Sequence, residues 1–197
     1  MNPIKLAILD RDGTINADSD DYVKSPEEWA PLPGALEAIA KLNHAGWHVV
    51  LATNQSGLAR GLFDMAALNA MHVKMNRLLA AHGGRIDAAF FCPHQPTDAC
   101  ACRKPLPGLL LQIGERFGVE LKDVPCVGDS LRDLQAAQAA GCVPHLVLTG
   151  KSQALRGKPL LAETPSNTVV HDDLGAFANF LLAQDKQRER RAATASR

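Results

Sequence analysis

The chain is expected to fold as an α/β protein with a doubly wound parallel sheet, covered by helices on both faces. Short apolar runs alternate along it with segments of helical apolar spacing, the pattern of strands joined by crossover helices. The groups best suited to chemistry, Asp10, Asp12, Thr53 and Asp129, all follow such runs. Sheets of this kind bind ligands at the carboxyl ends of their strands. A length of 197 residues gives room for one domain with a sizeable core, and not for two of ordinary size.

The first run, Leu6-Ala7-Ile8-Leu9, has the length and composition of a buried strand and ends in Asp10, Arg11, Asp12 and Gly13. Residues two apart in extended chain point the same way, so Asp10 and Asp12 share a face while Arg11 points elsewhere. Gly13 then permits a sharp turn. Two carboxylates this close raise each other's pKa unless a cation lies between them or one keeps a proton. A hard cation such as Mg2+ would leave Asp10 free as a nucleophile and Asp12 as general acid. A solvated turn and a glycosyltransferase-type D-x-D metal site are the alternatives at this point.

Residues 17–33 are polar, with Asp18, Asp20 and Asp21 before Tyr22, and read as a loop over the strand ends. Helical spacing over 34–45 stops at Gly46, and a second strand over 47–52 leads into Thr53-Asn54-Gln55-Ser56-Gly57. Asp64 is a suitable N-cap for a helix running to about residue 81. A third strand over 88–91 runs into Cys92-Pro93-His94. A helix follows over 107–117, with Pro107 in its first turn and Gly118 near its end. A short strand over 124–127 leads into Gly128-Asp129-Ser130 and a helix over 131–140. A fifth strand over 143–148, a loop over 150–167, a short strand over 168–170 and an amphipathic helix over 174–183 complete the domain. Residues 1–183 are thus one domain, and the basic stretch 184–197 is expected to be a frayed, disordered tail.

Lys and Arg (21) balance Asp and Glu (21), so no overall field favours nucleic acid or an anionic membrane, and any anion site must be local. No apolar run is long enough to span a bilayer, and M-N-P-I-K-L lacks the pattern of a signal peptide. The expectation is a cytoplasmic monomer acting on a small molecule. Of five cysteines, Cys92, Cys100 and Cys102 cluster with His94. In a reducing compartment this spacing favours metal ligation over disulfides, with free thiols on a loop as the alternative. Cys126 and Cys142 lie in apolar surroundings and read as small buried hydrophobes.

Thr53 offers a hydroxyl, and the turn after it backbone N–H groups, to phosphoryl oxygens. Arg103-Lys104-Pro105 sets two cations before a helix, and Lys104 is suited to reach both a phosphate and Asp10. Asp129, with Asp133 four residues on, would complete an oxygen cage for Mg2+, although Asp129 or Ser130 could equally cap the helix.

Taken together and in this order, D-R-D-G-T, Thr53, Lys104 and G-D-x-x-x-D resemble the four motifs of the haloacid dehalogenase-like phosphatases, over roughly residues 4–148. The resemblance implies a Rossmann-like sheet and an aspartyl-phosphate formed on Asp10. Asp12 would protonate the leaving oxygen and then activate water, while Thr53 and Lys104 stabilise the transferred group. Mg2+ would be held by Asp10, the backbone carbonyl of Asp12, and Asp129. The connections after the first and second strands hold about one helix each, too little for a separate cap domain.

Cys92-x-His94 followed by Cys100-x-Cys102 is similar to the zinc-binding loop of a subgroup that holds heptose bisphosphate 7-phosphatases and histidinol phosphatases. Three thiolates and an imidazole suit a closed, structural Zn2+ site. The run from Thr53 to Gly61 resembles the heptose enzymes, which implies a phosphorylated sugar substrate and a step in lipopolysaccharide precursor synthesis. The short loop between His94 and Cys100 resembles the histidinol phosphatases as much, and a non-catalytic zinc-bearing module is a reading of another class. Candidate substrate contacts are Asp18, Tyr22, Asn54, Gln55 and Ser56, with Arg60 and Arg103 for the second phosphate of a bisphosphate.

Overall fold

In the computed structural model, which describes residues 4–195, strands and helices alternate. The strands are β1 (Leu6–Leu9), β2 (His48–Asn54), β3 (Ala88–Cys92), β4 (Pro125–Gly128), β5 (Val143–Val147) and β6 (Val169–His171). The helices are α1 (Ala35–His44), α2 (Met65–Ala81), α3 (Gly108–Phe117), α4 (Leu131–Ala140) and α5 (Leu174–Ala195). The strands pair in parallel in the order β3-β2-β1-β4-β5-β6. Successive strands thus step outward from β1 to β3, then restart at β4 on the other side of β1. The reversal opens a crevice at the carboxyl ends of β1 and β4.

The pleat divides the core. Ala7 and Leu9 of β1 face a cluster with Leu36, Ile39, Met71 and Phe177, from α1, α2 and α5. Leu6 and Ile8 face the opposite cluster, with Leu109, Ile113 and Ala137 from α3 and α4. All four β1 side chains are buried, as a strand covered on both faces requires. The loop after β1 is pinned, because Lys74 of α2 donates to the carbonyls of Pro26 and Trp29 at 2.6 and 2.7 Å. Among the described residues no separate domain covers the strand ends, and no helix is long and apolar enough to cross a membrane.

Two stretches differ from the sequence expectation. Residues Gly150–Leu155, read as loop, form a 3-10 helix. The stretch expected to be a disordered tail continues α5 as far as Ala195. Gln, Lys, Arg, Glu and Ala are good helix formers, and no glycine or proline interrupts the helix after Gly175. Asp185 also anchors this extension, accepting hydrogen bonds from Lys5 Nζ and Trp47 Nε1, each at 2.9 Å. The N-terminal Met1, Asn2 and Pro3 and the tail residues Ser196 and Arg197 lie outside the described residues.

Candidate active site

The crevice is organised by one ammonium. Lys104, 4% exposed, donates to Asp10 Oδ1 at 2.8 Å and to the Ala52 carbonyl at 2.7 Å, and it pairs with Asp133 Oδ1. Asn54, at the end of β2, holds the Lys104 backbone from both sides. Its Oδ1 accepts from the Lys104 N–H and its Nδ2 donates to the Lys104 carbonyl, each at 3.1 Å. Burial alone would lower the lysine pKa, but Asp10 and Asp133 outweigh it and hold the ammonium well above its usual value. Asp10 itself lies between β1 and β4, its N–H donating to the Val127 carbonyl at 2.9 Å.

Asp10 and Asp12 are two residues apart and are driven in opposite directions. Burial, aided by the charges of Asp133 and Asp12, pushes Asp10 up to about 6 against the pull of Lys104. Asp12 is largely buried too, but Arg11, Asn16 and Gln55 overcome the burial and lower its pKa. Arg11 grips its neighbour's carboxylate with Nε at 3.2 Å and Nη2 at 2.9 Å from both oxygens, while Asn16 Nδ2 and Gln55 Nε2 donate at 2.9 and 2.8 Å. Gln55 Nε2 also reaches Thr53 Oγ1 at 2.9 Å, joining the buried Thr53 to the same network.

Asp129, at the end of β4, completes a cluster in which oxygens of Asp10, Asp129 and Asp133 lie within 4.8 Å of one another. Burial and the charges of Asp10 and Asp133 push Asp129 up to about 8, opposed by the Lys151 N–H, which donates to Asp129 Oδ2 at 2.7 Å. Three carboxylates face one ammonium. With all three ionised the cluster carries two negative charges in excess, which a divalent cation would offset in place of the protons that Asp10 and Asp129 otherwise retain, and an all-oxygen donor set suits a hard cation. Asp133 serves twice, since its Oδ2 also accepts from the Ser130 N–H and hydroxyl in the capping box of α4. The Asp12 carboxylate is turned to Arg11, Asn16 and Gln55, outside this cluster.

Of the expected substrate contacts, Asp18, Tyr22, Asn54, Gln55, Ser56 and Arg103 line the cleft above these groups. Arg60 does not. Successive turns between Gln55 and Leu62 carry it to the exposed outside of the loop, where the Phe63 ring closes against Gly57. Sequence reasoning missed Arg11, Asn16, Arg132 and Lys151. Alternation along the strand points Arg11 away from Asp10 and Asp12, yet its guanidinium lies against the Asp12 carboxylate. Lys151 follows a strand end, as the recognised groups do, and could have been found by the same rule.

At the end of β3 and in the loop that leads from it to Arg103 and Lys104, Cys92, His94, Cys100 and Cys102 converge. Cys92 Sγ lies 3.9 Å from Cys100 Sγ and 3.1 Å from Cys102 Sγ, and His94 Nδ1 lies 3.5 and 3.3 Å from Cys92 and Cys102. A tetrahedral ion with bonds of about 2.0–2.3 Å separates its ligand atoms by roughly 3.5–3.8 Å, which these distances bracket. Arg103 ties the loop back through Nη1 to the His94 carbonyl at 3.1 Å. Cys126 and Cys142 are buried elsewhere, and burial raises both thiols, Cys142 to about 12, in keeping with inert packing residues.

The signature of the haloacid dehalogenase-like hydrolases matches residues 15–141, and the chain belongs to that family. More particular relatives follow. D-glycero-beta-D-manno-heptose-1,7-bisphosphate 7-phosphatase of Bordetella bronchiseptica is 60% identical over 183 residues, covering 92% of this chain and 99% of its own. The protein of the same name in Pseudomonas aeruginosa is 54% identical over 177 residues, with 90% and 97% covered. The crystal structure of the B. bronchiseptica D,D-heptose 1,7-bisphosphate phosphatase, complexed with magnesium and phosphate, superposes with a TM-score of 0.87 at 59% identity. It covers 92% of this chain and 99% of its own.

Arg11→Met would leave Asp12 with two neutral donors in a buried setting. Unfolding in urea should show a loss of about 3 kcal/mol, partly recovered by Arg11→Lys. A loss below about 0.5 kcal/mol would put the contact in the class of exposed ion pairs.

Proposed function

We propose that this chain is a Mg2+-dependent phosphatase that removes the 7-phosphate of D-glycero-β-D-manno-heptose 1,7-bisphosphate, supplying a precursor of lipopolysaccharide heptose. The observation that carries the reading is the Lys104-centred cluster of Asp10, Asp129 and Asp133 with Asp12 held beside it, found in a chain 60% identical to a phosphatase of that name. The relatives' names favour the heptose substrate over histidinol phosphate, and they supply the β-anomer. A non-catalytic module would have no use for a buried charge cluster so costly to assemble.

In this reading Asp10 attacks phosphorus, forming an acyl phosphate while the bond to the sugar oxygen breaks, and Asp12 gives that oxygen a proton. A bound phosphate dianion raises the pKa of Asp12 by repulsion and so lets it carry the proton. Asp12 then takes a proton from water as the water attacks phosphorus, which frees Asp10 and releases phosphate. Thr53 and Lys104 offset charge on the equatorial oxygens. Asp10, Asp129, Asp133 and the Asp12 carbonyl are the groups that would hold Mg2+, which supplies charge neutralisation for the phosphoryl oxygens. All these groups come from one chain, which supports action as a monomer, and the unpaired thiols support a cytoplasmic setting. The Cys92-His94-Cys100-Cys102 cluster would hold a structural Zn2+ and stiffen the loop that delivers Arg103 and Lys104.

Phosphate release from heptose 1,7-bisphosphate and from histidinol phosphate, compared as kcat/KM, should favour the bisphosphate by at least roughly a hundredfold and leave the 1-phosphate intact. Asp10→Asn should reduce the rate by roughly a thousandfold or more. A preference for histidinol phosphate, or full activity in Asp10→Asn, would overturn the reading.

In Mg2+-free protein the raised pKa values of Asp10 and Asp129 mean that the folded state holds protons the unfolded state releases. Their contribution to stability is complete below about pH 4 and is lost as pH rises through about 6 and 8. Adding Mg2+ should therefore raise Tm by more at pH 8.5 than at pH 5.5, as thermal denaturation can measure. A shift independent of pH would remove these carboxylates as the binding site.

Elemental analysis should find one zinc per chain, and Cys100→Ser should lower both zinc content and Tm. Protein purified without zinc, and indifferent to Cys100→Ser, would rule the site out.

A further inference from the structure

A bisphosphate carries a phosphate that does not react, and the bisphosphate reading above, on which this inference rests, requires cations for it. Five basic side chains line the cleft: Arg11, Arg103, Lys104, Arg132 and Lys151. Arg11 and Lys104 are buried and committed to carboxylates of the reaction centre. Arg103 is tied by Nη1 to the His94 carbonyl, and Arg132, on the first turn of α4, is exposed.

Lys151 is different because its backbone is fastened to the reaction centre. Its N–H donates to Asp129 Oδ2 at 2.7 Å, and the Thr149 hydroxyl donates to the Gly13 carbonyl at 2.6 Å. Gly150 between them, at φ +48°, sits so close to Gly13 and the Asp129 carboxylate that a Cβ there would overlap both. From this fixed base the Lys151 ammonium reaches Asp18 Oδ2 on the loop after β1, at 3.4 Å. The two side chains are 49% and 21% exposed, so water screens a pair that is already long, and the contact is readily exchanged.

We propose that Lys151 is a specificity-determining residue for sugar bisphosphates: it leaves Asp18 for the non-reacting phosphate, and the freed Asp18 carboxylate accepts a hydrogen bond from a sugar hydroxyl. A phosphate dianion carries more charge than a single carboxylate and competes well for the ammonium. A monophosphate offers no such partner, and Lys151 then stays on Asp18, competing with a sugar hydroxyl for Oδ2, while Oδ1 accepts from the Ser19 N–H. Arg103 and Arg132 add positive charge, but neither gives up a carboxylate in doing so. Lys151 alone couples capture of the phosphate to recognition of the sugar.

The test compares kcat/KM for heptose 1,7-bisphosphate and heptose 7-phosphate in the wild-type enzyme, Lys151→Met, Lys151→Arg and Arg132→Met. The ratio of the two constants should fall by about tenfold or more in Lys151→Met, and stay within about threefold of wild type in the other two variants. A wild-type preference for the bisphosphate that survives Lys151→Met, whether both rates drop or neither does, overturns the role of Lys151 and leaves the proposed function standing. Collapse of the ratio in Arg132→Met with Lys151→Met unaffected assigns the subsite to α4 and overturns it equally. A wild-type enzyme with no preference between the two substrates likewise overturns the role of Lys151, whereas the proposed function falls only with a preference for histidinol phosphate or with full activity in Asp10→Asn.

Discussion

A buried ammonium ion surrounded by carboxylates is unstable unless every one of its contacts is made, and the Lys104 site is built around that demand. Its three partners come from three elements: Asp10 after β1, the Ala52 carbonyl in β2, and Asp133 in α4. Those elements are brought together by the sheet order, which makes β1 the neighbour of both β2 and β4 and delivers α4 directly from β4. Taking the charges out of water costs several kcal/mol per ion, and only close, saturated geometry offsets it. Asn54 and the Cys/His loop, which end in the backbone of Lys104, are then devices for holding one cation in place.

The environment, and not the residue type, separates Asp10 from Asp12. Both are largely, but not fully, buried aspartates on one short turn. Asp10 faces other carboxylates and is raised, whereas Asp12 faces a guanidinium and two amides and is lowered. A pair of like groups pushed apart in this way can divide two tasks between them. The division is made by Arg11, Asn16 and Gln55, none of which carries reactive chemistry of its own.

The strands, their order of appearance and the polar groups at their ends were legible because each depends on local composition and on a period that a chain must keep in order to bury itself. Asp10, Asp12, Thr53 and Asp129 follow from that rule, whereas Lys104, in the loop between β3 and α3, was legible only from its place before a helix and from the order of the family motifs. Arg11 was not, since alternation along a strand says nothing about contacts beyond the strand's end. Arg60 shows the converse. An arginine beside a strand-end motif looks well placed in sequence, yet the turns after Gln55 decide which way it faces. The extent of α5 was hidden for a third reason. Its helix formers were visible, but the anchor at Asp185 depends on Lys5, a partner 180 positions away.

That anchor also fixes where the end of α5 lies. Lys5 and Trp47 immediately precede β1 and β2, so Asp185 is docked at the amino ends of the parallel strands, while the cleft opens at their carboxyl ends. The helix therefore leaves the body of the protein on the side away from the reaction centre. A label, a fusion partner or a solid support attached beyond it would leave the mouth of the cleft pointing outward into solution.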